Sequence, residues 1–174
     1  MTPIRLAMLL ALTAYPVAAQ DTAGAWAPTF TARHGAWDVT CDARGDGDTR
    51  EERCYARYID VYSPQPDFGV VFMFVEIIDA VPVVTLGREF ETDLVATTLR
   101  ITPGWERPAG LCTGGPCEMT GEDAVAAVDA LVAGGTMEVG FVDAKGGDQL
   151  RQWPAVGFAE AYADITREAA ARGL

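Results

Sequence analysis

Four cysteines arranged as two close pairs are the feature that most constrains how this 174-residue chain can fold. Cys41 and Cys54 enclose a charged loop, and Cys112 and Cys117 enclose the turn-forming sequence Thr-Gly-Gly-Pro. Four cysteines allow three pairings. The local pairing is favoured, because adjacent antiparallel strands bring the first pair to disulfide distance and a turn brings the second pair together. We therefore predict the disulfides Cys41–Cys54 and Cys112–Cys117.

Zinc binding and redox chemistry are the alternative uses of these thiols. Paired zinc ligands are ordinarily separated by about two to four residues, and Cys41 and Cys54 are much further apart. A thiol–disulfide oxidoreductase ordinarily reads C-x-x-C, which neither pair does. Structural disulfides, which form in oxidising compartments, are the favoured interpretation.

The N-terminus has the composition of an export signal. Arg5 precedes an apolar run from Leu6 to Tyr15, and the small residues up to Ala19 favour cleavage there. The run is half of the ~20 apolar residues that a membrane-spanning helix needs, so an uncleaved anchor is less favoured. We predict a signal peptide over 1–19, a periplasmic or secreted location, and no membrane span in the mature chain.

The formal net charge of −12 limits the classes of partner. An acidic surface repels nucleic acid phosphates and anionic membranes, so no nucleic acid partner is expected. Residues 20–34 show no clear period and predict a loose lead-in segment. Residues 35–174 are enough for a single domain with its own core.

Alternating apolar and polar residues predict short strands rather than βαβ units. Trp37, Val39 and Cys41 fall on one side of the first strand. The nearly continuous apolar run from Val70 to Ile78 predicts a central strand buried on both faces. Further strands are predicted at 54–62, 82–86, 94–101, 137–141 and 149–153. This spacing favours a mainly β protein, an antiparallel β-sandwich.

Two helices complete the predicted fold. Thr120-Gly-Glu-Asp123 resembles a capping box and opens an inserted helix that ends at Gly134-Gly135. A C-terminal helix follows, with an apolar stripe formed by Phe158, Tyr162, Ile165 and Ala169. Glu168 and Arg172 are spaced to form an ion pair on it.

Two groups of residues are candidates for a partner surface. The first is the acidic loop Asp46, Asp48, Glu51 and Glu52. Its spacing does not match an EF-hand; a weak calcium site stays open, and a solvated hairpin tip is the favoured interpretation. The second is the Tyr58 and Tyr62 face, to which Tyr55 and Trp105 could add. For these rings, ordinary packing of a sheet face is favoured.

The inventory of reactive side chains predicts a non-enzymatic protein without cofactor or metal. The chain has one histidine, His34, and one serine, Ser63, and no G-x-S-x-G sequence surrounds that serine. Glu89, Glu91 and Asp93 alternate along an extended segment, where they are expected to keep an edge strand soluble rather than act as acid and base. No glycine-rich nucleotide fingerprint is present.

The order of several short motifs resembles the invasion-associated locus B family. These motifs are Gly35-x-Trp37-x-Val39-x-Cys41, then Cys54, then Cys112-x4-Cys117, then Gly157-Phe158-x-x-Ala161. The resemblance covers nearly all of the chain after the signal and implies a periplasmic or envelope protein with an immunoglobulin-like sandwich. It implies no catalytic residues. The chain departs from the family pattern between Pro82 and Gly110.

We therefore expect an exported, disulfide-stapled protein that binds another envelope or host component. A small periplasmic hydrolase is one alternative, and it requires a cleft that gathers His34 with Ser63 or with two carboxylates. A metal or small-molecule carrier is the other, and it requires an apolar cavity or converging Asp and Glu oxygens.

Overall fold

The structure, a computed structural model, describes residues 24–63, 69–88, 96–107, 117–142 and 146–174. The predicted signal peptide at 1–19 lies outside these residues. Ten strands occur in the described ranges: β1 (Ala27–His34), β2 (Trp37–Arg44), β3 (Glu51–Ser63), β4 (Gly69–Ile78), β5 (Val81–Arg88), β6 (Ala96–Thr102), β7 (Trp105–Arg107), β8 (Cys117–Met119), β9 (Thr136–Val142) and β10 (Asp148–Pro154). They are accompanied by two α-helices, α1 (Gly121–Val132) and α2 (Phe158–Arg172), and by a short 3-10 helix, Gly47–Thr49.

The strands form two antiparallel sheets, ordered β1-β2-β3-β4-β5-β8 and β10-β9-β6-β7. Buried side chains of both sheets and both helices belong to one hydrophobic cluster. A mainly β, antiparallel sandwich with one inserted and one C-terminal helix is therefore confirmed. An immunoglobulin constant domain divides its strands as ABED and CFG, whereas here β1 to β5 pair in chain order as a meander.

The predicted loose lead-in is wrong for Ala27–His34, which forms the edge strand β1. Most of β1 is exposed or half-exposed, so its sequence lacks the alternation that marks a half-buried strand. Pairing makes it a strand: from Phe30 opposite Cys41 to His34 opposite Trp37, it adds an antiparallel ladder to β2.

Strand β4 is central, between β3 and β5, as predicted, but it is not buried on both faces. Val71, Met73 and Val75 point into the core, whereas Phe72 and Phe74 alternate with them and are only half-buried. An antiparallel sheet with one face on the core leaves the other face to solvent. The outer face of β4 thus carries the rings of Phe72 and Phe74 beside Glu76.

A column of aromatic rings joins α2 to the six-stranded sheet. The Trp37 ring lies 4.6 Å from Phe158 of α2 and 5.4 Å from Tyr58 of β3, between centroids. Tyr58 in turn stacks on Trp153 of β10 at 5.2 Å. Large rings bury the most apolar area per residue and prefer such offset or tilted contacts, so this column holds both sheets and α2 around one core.

The helices follow their predicted faces. In α2, Phe158, Ile165 and Ala169 are fully buried, and Arg172 donates to the Glu168 carboxylate at 2.7 Å, as the spacing predicts. Thr120 occupies the N-cap position of α1 but makes no side-chain cap hydrogen bond. The capping-box prediction is therefore correct in position only.

The predicted disulfide Cys41–Cys54 is present and joins β2 to β3. The two cysteines are direct cross-strand partners and both are fully buried. Cys117 at the start of β8 is also disulfide-bonded, while its predicted partner Cys112 lies outside the described residues. The zinc interpretation is therefore wrong for Cys41 and Cys54.

Candidate functional site

The loop between β2 and β3 contains the predicted acidic surface: Asp46, Asp48, Glu51 and Glu52. Two of these carboxylates are already neutralised. Arg44 donates to Glu51 through Nε and Nη2 at 2.9 and 2.6 Å, and Arg50 donates to Glu52 at 2.6 Å. Arg172 of α2 lies 3.6 Å from Glu52 as well. Among the described residues, the loop is therefore a salt-bridged hairpin end whose two aspartates form no ion pair, rather than a continuous acidic patch.

Asp46 and Asp48 do not form an ion site with the described residues around them. Within the ranges that the structure describes, no three His, Cys, Asp or Glu side chains converge to hold a metal ion. Asp46 precedes the 3-10 helix and Asp48 lies in it, both exposed.

Of the predicted tyrosine surface, the structure describes the side chains of Tyr55 and Tyr58, which lie on opposite sides of the sheet. Tyr58 belongs to the inner side of β3, where its ring packs between Trp37 and Trp153. The side chain of Tyr62 lies outside the described residues. Tyr55, three residues before Tyr58, has the opposite orientation and lies on the outer face of the sheet.

His34, at the end of β1, contacts a carboxylate of α2. His34 Nε2 is 2.7 Å from Asp164 Oδ2, and Arg167 donates to the other oxygen of that carboxylate at 2.7 Å. These bonds join the end of β1 to α2. The Ser63 side chain and the predicted carboxylate row Glu89, Glu91 and Asp93 lie outside the described residues. The contacts described for His34 therefore show one carboxylate partner, where a hydrolytic cleft calls for a nucleophile as well.

The outer face of the six-stranded sheet gathers aromatic rings and arginines around a groove of about 390 Å3. We call this surface the arginine–aromatic face; it consists of Arg53, Tyr55, Arg57, Phe72, Phe74, Glu76 and Thr85. Strand register assembles it. Tyr55 is opposite Glu76, Arg57 is opposite Phe74, and Phe74 is opposite Thr85. Side chains that alternate on three neighbouring strands thus meet on one side of the sheet.

The rings of this face touch one another along the sheet. Tyr55 and Phe74 lie 5.6 Å apart between centroids, and Phe74 and Phe72 form an edge-to-face pair at 5.3 Å. Phe72 lies directly over Gly87 of β5, where a Cβ atom would be 2.2 Å from the Phe72 Cζ. Glycine at this position leaves room for the ring close to the β5 backbone.

Arg53 is held in place at one end of the face. Its Cζ lies 4.1 Å from the Trp26 ring centroid and 5.3 Å from that of Tyr55. Its Nη2 donates to Asp42 Oδ2 at 3.2 Å, and the Tyr55 hydroxyl donates to the same oxygen at 3.0 Å. Stacked cation–π contacts of this kind contribute about 0.5–2 kcal/mol each. The guanidinium is therefore preorganised rather than free in solvent.

Desolvation changes the titration of two groups on this face. Burial raises the pKa of the Glu76 carboxyl, against the lowering effect of Arg53, and Glu118 raises it further. Burial also raises the pKa of the Tyr55 hydroxyl, and its hydrogen bond to Asp42 adds to the shift. Tyr55 is thus a neutral donor at physiological pH, and Glu76 sits where a charge is poorly hydrated.

Arg57 has unused hydrogen-bonding capacity. Its Nε is 3.6 Å from Asp38 Oδ2, an ion pair but not a hydrogen bond. The same nitrogen is buried and has no hydrogen-bond partner in the described part of the chain. Buried donors are normally satisfied, so this nitrogen is an unsatisfied donor, while the Arg57 side chain as a whole is 39% exposed and lines the groove.

The alternation of side chains along β3 is the sequence feature that indicates this site. Tyr55, Arg57 and Ile59 alternate against Ala56, Tyr58 and Asp60, so the tyrosines at 55 and 58 face opposite sides of any strand. The half-buried rings of β4 cannot be predicted in the same way, because a continuous apolar run is equally typical of a strand that is buried on both faces.

No family model, curated protein or solved structure matches this chain. Across the described residues, neither helix has the length and apolar character needed to cross a bilayer.

Proposed function

We propose that this protein is an exported binding protein that contacts a protein partner of the envelope or host through the arginine–aromatic face. The observation that carries the proposal is a contiguous row of rings on the solvent side of an antiparallel sheet. That side ordinarily carries polar residues. Here Tyr55, Phe72 and Phe74 are followed on the same side by Ile59, which is 47% exposed.

The composition of the face supports recognition of a protein. Tyrosine, phenylalanine and arginine are the residue types enriched at protein interfaces, and tyrosine and arginine are frequent among residues that dominate binding energy. The Arg53 stack is fixed before binding, which lowers the entropy lost on association. Arg57, whose side chain is 39% exposed, adds a positive charge that complements a carboxylate of the partner.

Export and the family resemblance are parts of the same proposal. Oxidised Cys41, Cys54 and Cys117 fit an oxidising compartment, which agrees with the signal peptide expected at 1–19. We propose membership of the invasion-associated locus B family on the motifs from Gly35 to Ala161. Binding is preferred to hydrolysis because the face provides contact area and donors, whereas His34 is held by Asp164 in a contact between β1 and α2.

A pair of matched variants tests the proposed face. Ile59 of β3 is opposite Phe72 of β4, and Leu150 is a similarly exposed apolar residue on β10 of the other sheet, 58% exposed. Ile59→Glu places a charge against the rings, and Leu150→Glu makes the same change elsewhere. We expect affinity capture from the native envelope to recover the same partner with the wild type and Leu150→Glu.

With Ile59→Glu, recovery of that partner should fall by at least about tenfold, because a buried unpaired charge costs more than 1.4 kcal/mol. Circular dichroism of the two variants checks that both are folded. Equal recovery of every partner by the two folded variants would remove the arginine–aromatic face from consideration.

A further inference from the structure

A second exposed apolar surface lies between α1 and the turn that joins β4 to β5. We call it the α1 groove; it is lined by Val81, Gly121, Glu122, Val125, Ala126 and Asp129 and has a volume of about 430 Å3. It is separate from the arginine–aromatic face, with which it has no lining residue in common.

The floor of the α1 groove exposes aliphatic side chains. Val81 is 49% exposed and Val125 is 42% exposed. Ile78, the cross-strand partner of Val81, is also among the exposed large apolar residues. Branched apolar residues clustered at one place, unlike single exposed ones, indicate a contact surface.

The rim of the groove is acidic. Glu122 and Asp129 line it, and Asp123 lies on the same helix. None of these three carboxylates forms an ion pair within the described residues, whereas Glu168 of α2 binds both Arg167 and Arg172. The sequence has no lysine or arginine between positions 108 and 144, so α1 and the segments that flank it in the chain carry no cation.

We propose that the α1 groove binds a cationic amphipathic segment of a partner protein. Apolar side chains of that segment would contact Val81 and Val125, and its lysines or arginines would face Glu122 and Asp129. Complementary charge selects such a partner and speeds its association. A second copy of this chain would bring the same acidic rim, and like charges across an interface oppose association.

The test uses a fluorescently labelled synthetic helix of leucine and lysine arranged with one apolar face, titrated with the mature protein. Fluorescence anisotropy at two salt concentrations gives the dissociation constant and its ionic-strength dependence. We expect binding that weakens with added salt, because exposed charge pairs are screened. Glu122→Gln with Asp129→Asn should weaken binding by about tenfold and reduce its salt dependence.

Two controls match the charge and the apolar change. Asp46→Asn with Asp48→Asn removes two charges from the exposed β2–β3 loop and should leave the dissociation constant within about twofold. Val125→Ser should weaken binding, whereas Val156→Ser, at the most exposed of the large apolar residues in the described chain, should not.

Three outcomes would overturn the inference. The first is that the loop variant weakens binding as much as the groove variant, which would mean attraction by net charge alone. The second is an unchanged dissociation constant for Val125→Ser. The third is sedimentation showing that the wild-type protein self-associates and that Val125→Ser abolishes it, which would assign the groove to a second copy of the chain.

Discussion

Asp79 and Ala80 form the tip of the β4–β5 hairpin, and both have positive φ angles, 51° and 63°. Such a two-residue turn matches the twist of the strands but favours Asn or Asp followed by Gly. Asp tolerates the left-handed region, whereas Ala is strained there by about 1–2 kcal/mol. After the greater unfolded-state entropy of glycine is subtracted, we expect Ala80→Gly to stabilise the protein by about 0.5–1 kcal/mol.

Ala133 provides the control for this change. It ends α1 with φ −70°, where glycine has no conformational advantage, so Ala133→Gly should destabilise by about 0.5–1 kcal/mol. Urea unfolding of both variants measures the two effects. A loss of stability in Ala80→Gly would show that the strain at the hairpin tip is not relieved.

The carboxyl of Glu76 tests whether the arginine–aromatic face is desolvated. Because burial raises its pKa in the folded state, the folded protein binds the proton more tightly than the unfolded chain, and stability falls as the pH rises through this window. Glu76→Gln should therefore be more stable than the wild type near pH 7. The difference should vanish below about pH 3, where the carboxyl is protonated in both states.

Urea unfolding across this pH range measures the difference in free energy. A difference that stays constant with pH would show that the substitution acts through packing and not through the ionised carboxylate.

At the scale of elements, the docking of α2 depends on a close approach at its N-terminus. Gly157 has φ 86°, and a Cβ there would lie 2.3 Å from the His34 carbonyl oxygen. Gly173 at the other end of the helix has φ 74° and open space around it. Both positions share the left-handed backbone, so the pair separates conformational strain from crowding.

We expect Gly173→Ala to cost about 1 kcal/mol and Gly157→Ala to cost about 3 kcal/mol or more, since overpacking is added to the strain. Thermal or urea unfolding gives both values. Equal losses of stability in the two variants would mean that the contact between α2 and the β1–β2 turn accommodates the added methyl group without a further loss of stability.

The disulfide Cys41–Cys54 joins β2 to β3 covalently. Cys41→Ala with Cys54→Ala opens a loop of sequence separation 13, and the chain-entropy model predicts a loss of about 3 kcal/mol. Urea unfolding of the double variant isolates this bond, because the disulfide of Cys117 is retained. An unchanged unfolding midpoint would show that the disulfide does not stabilise the pairing of β2 with β3.

Elements with a clear periodicity could be predicted, and those defined by their neighbours could not. The stripe of α2 and the alternation of Trp37, Val39 and Cys41 identify their buried faces directly. Strand β1 could not be predicted, because its residues are mostly exposed and it forms a strand through pairing with β2. For β4, the apolar run located the strand but not the degree to which its second face is covered.

The candidate site shows the same division. The orientation of Tyr55 follows from parity within one strand. The stack of Arg53 on Trp26 does not, because it joins residues far apart in sequence after β1 has paired with β2. The loop carboxylates at Glu51 and Glu52 were identified as a surface, yet their arginine partners are recognised only once the hairpin is folded.

For the whole molecule, ion pairs tie the two sheets together. Arg151 of β10 donates to Asp60 of β3 at 2.6 Å and so links the two sheets. Trp153 donates to the same carboxylate at 3.1 Å. The outer side of β3, β4 and β5 carries the arginine–aromatic face, and α1 carries an acidic groove.

Site-specific photocrosslinking in the native envelope tests the role of the arginine–aromatic face most directly. A photoreactive amino acid replaces Thr85, which lines the groove of that face, or Leu150 on the opposite sheet as the control. We predict a crosslinked partner from position 85 and none from position 150. Crosslinks from position 150 alone, or from neither position, would contradict the assignment of partner binding to this face.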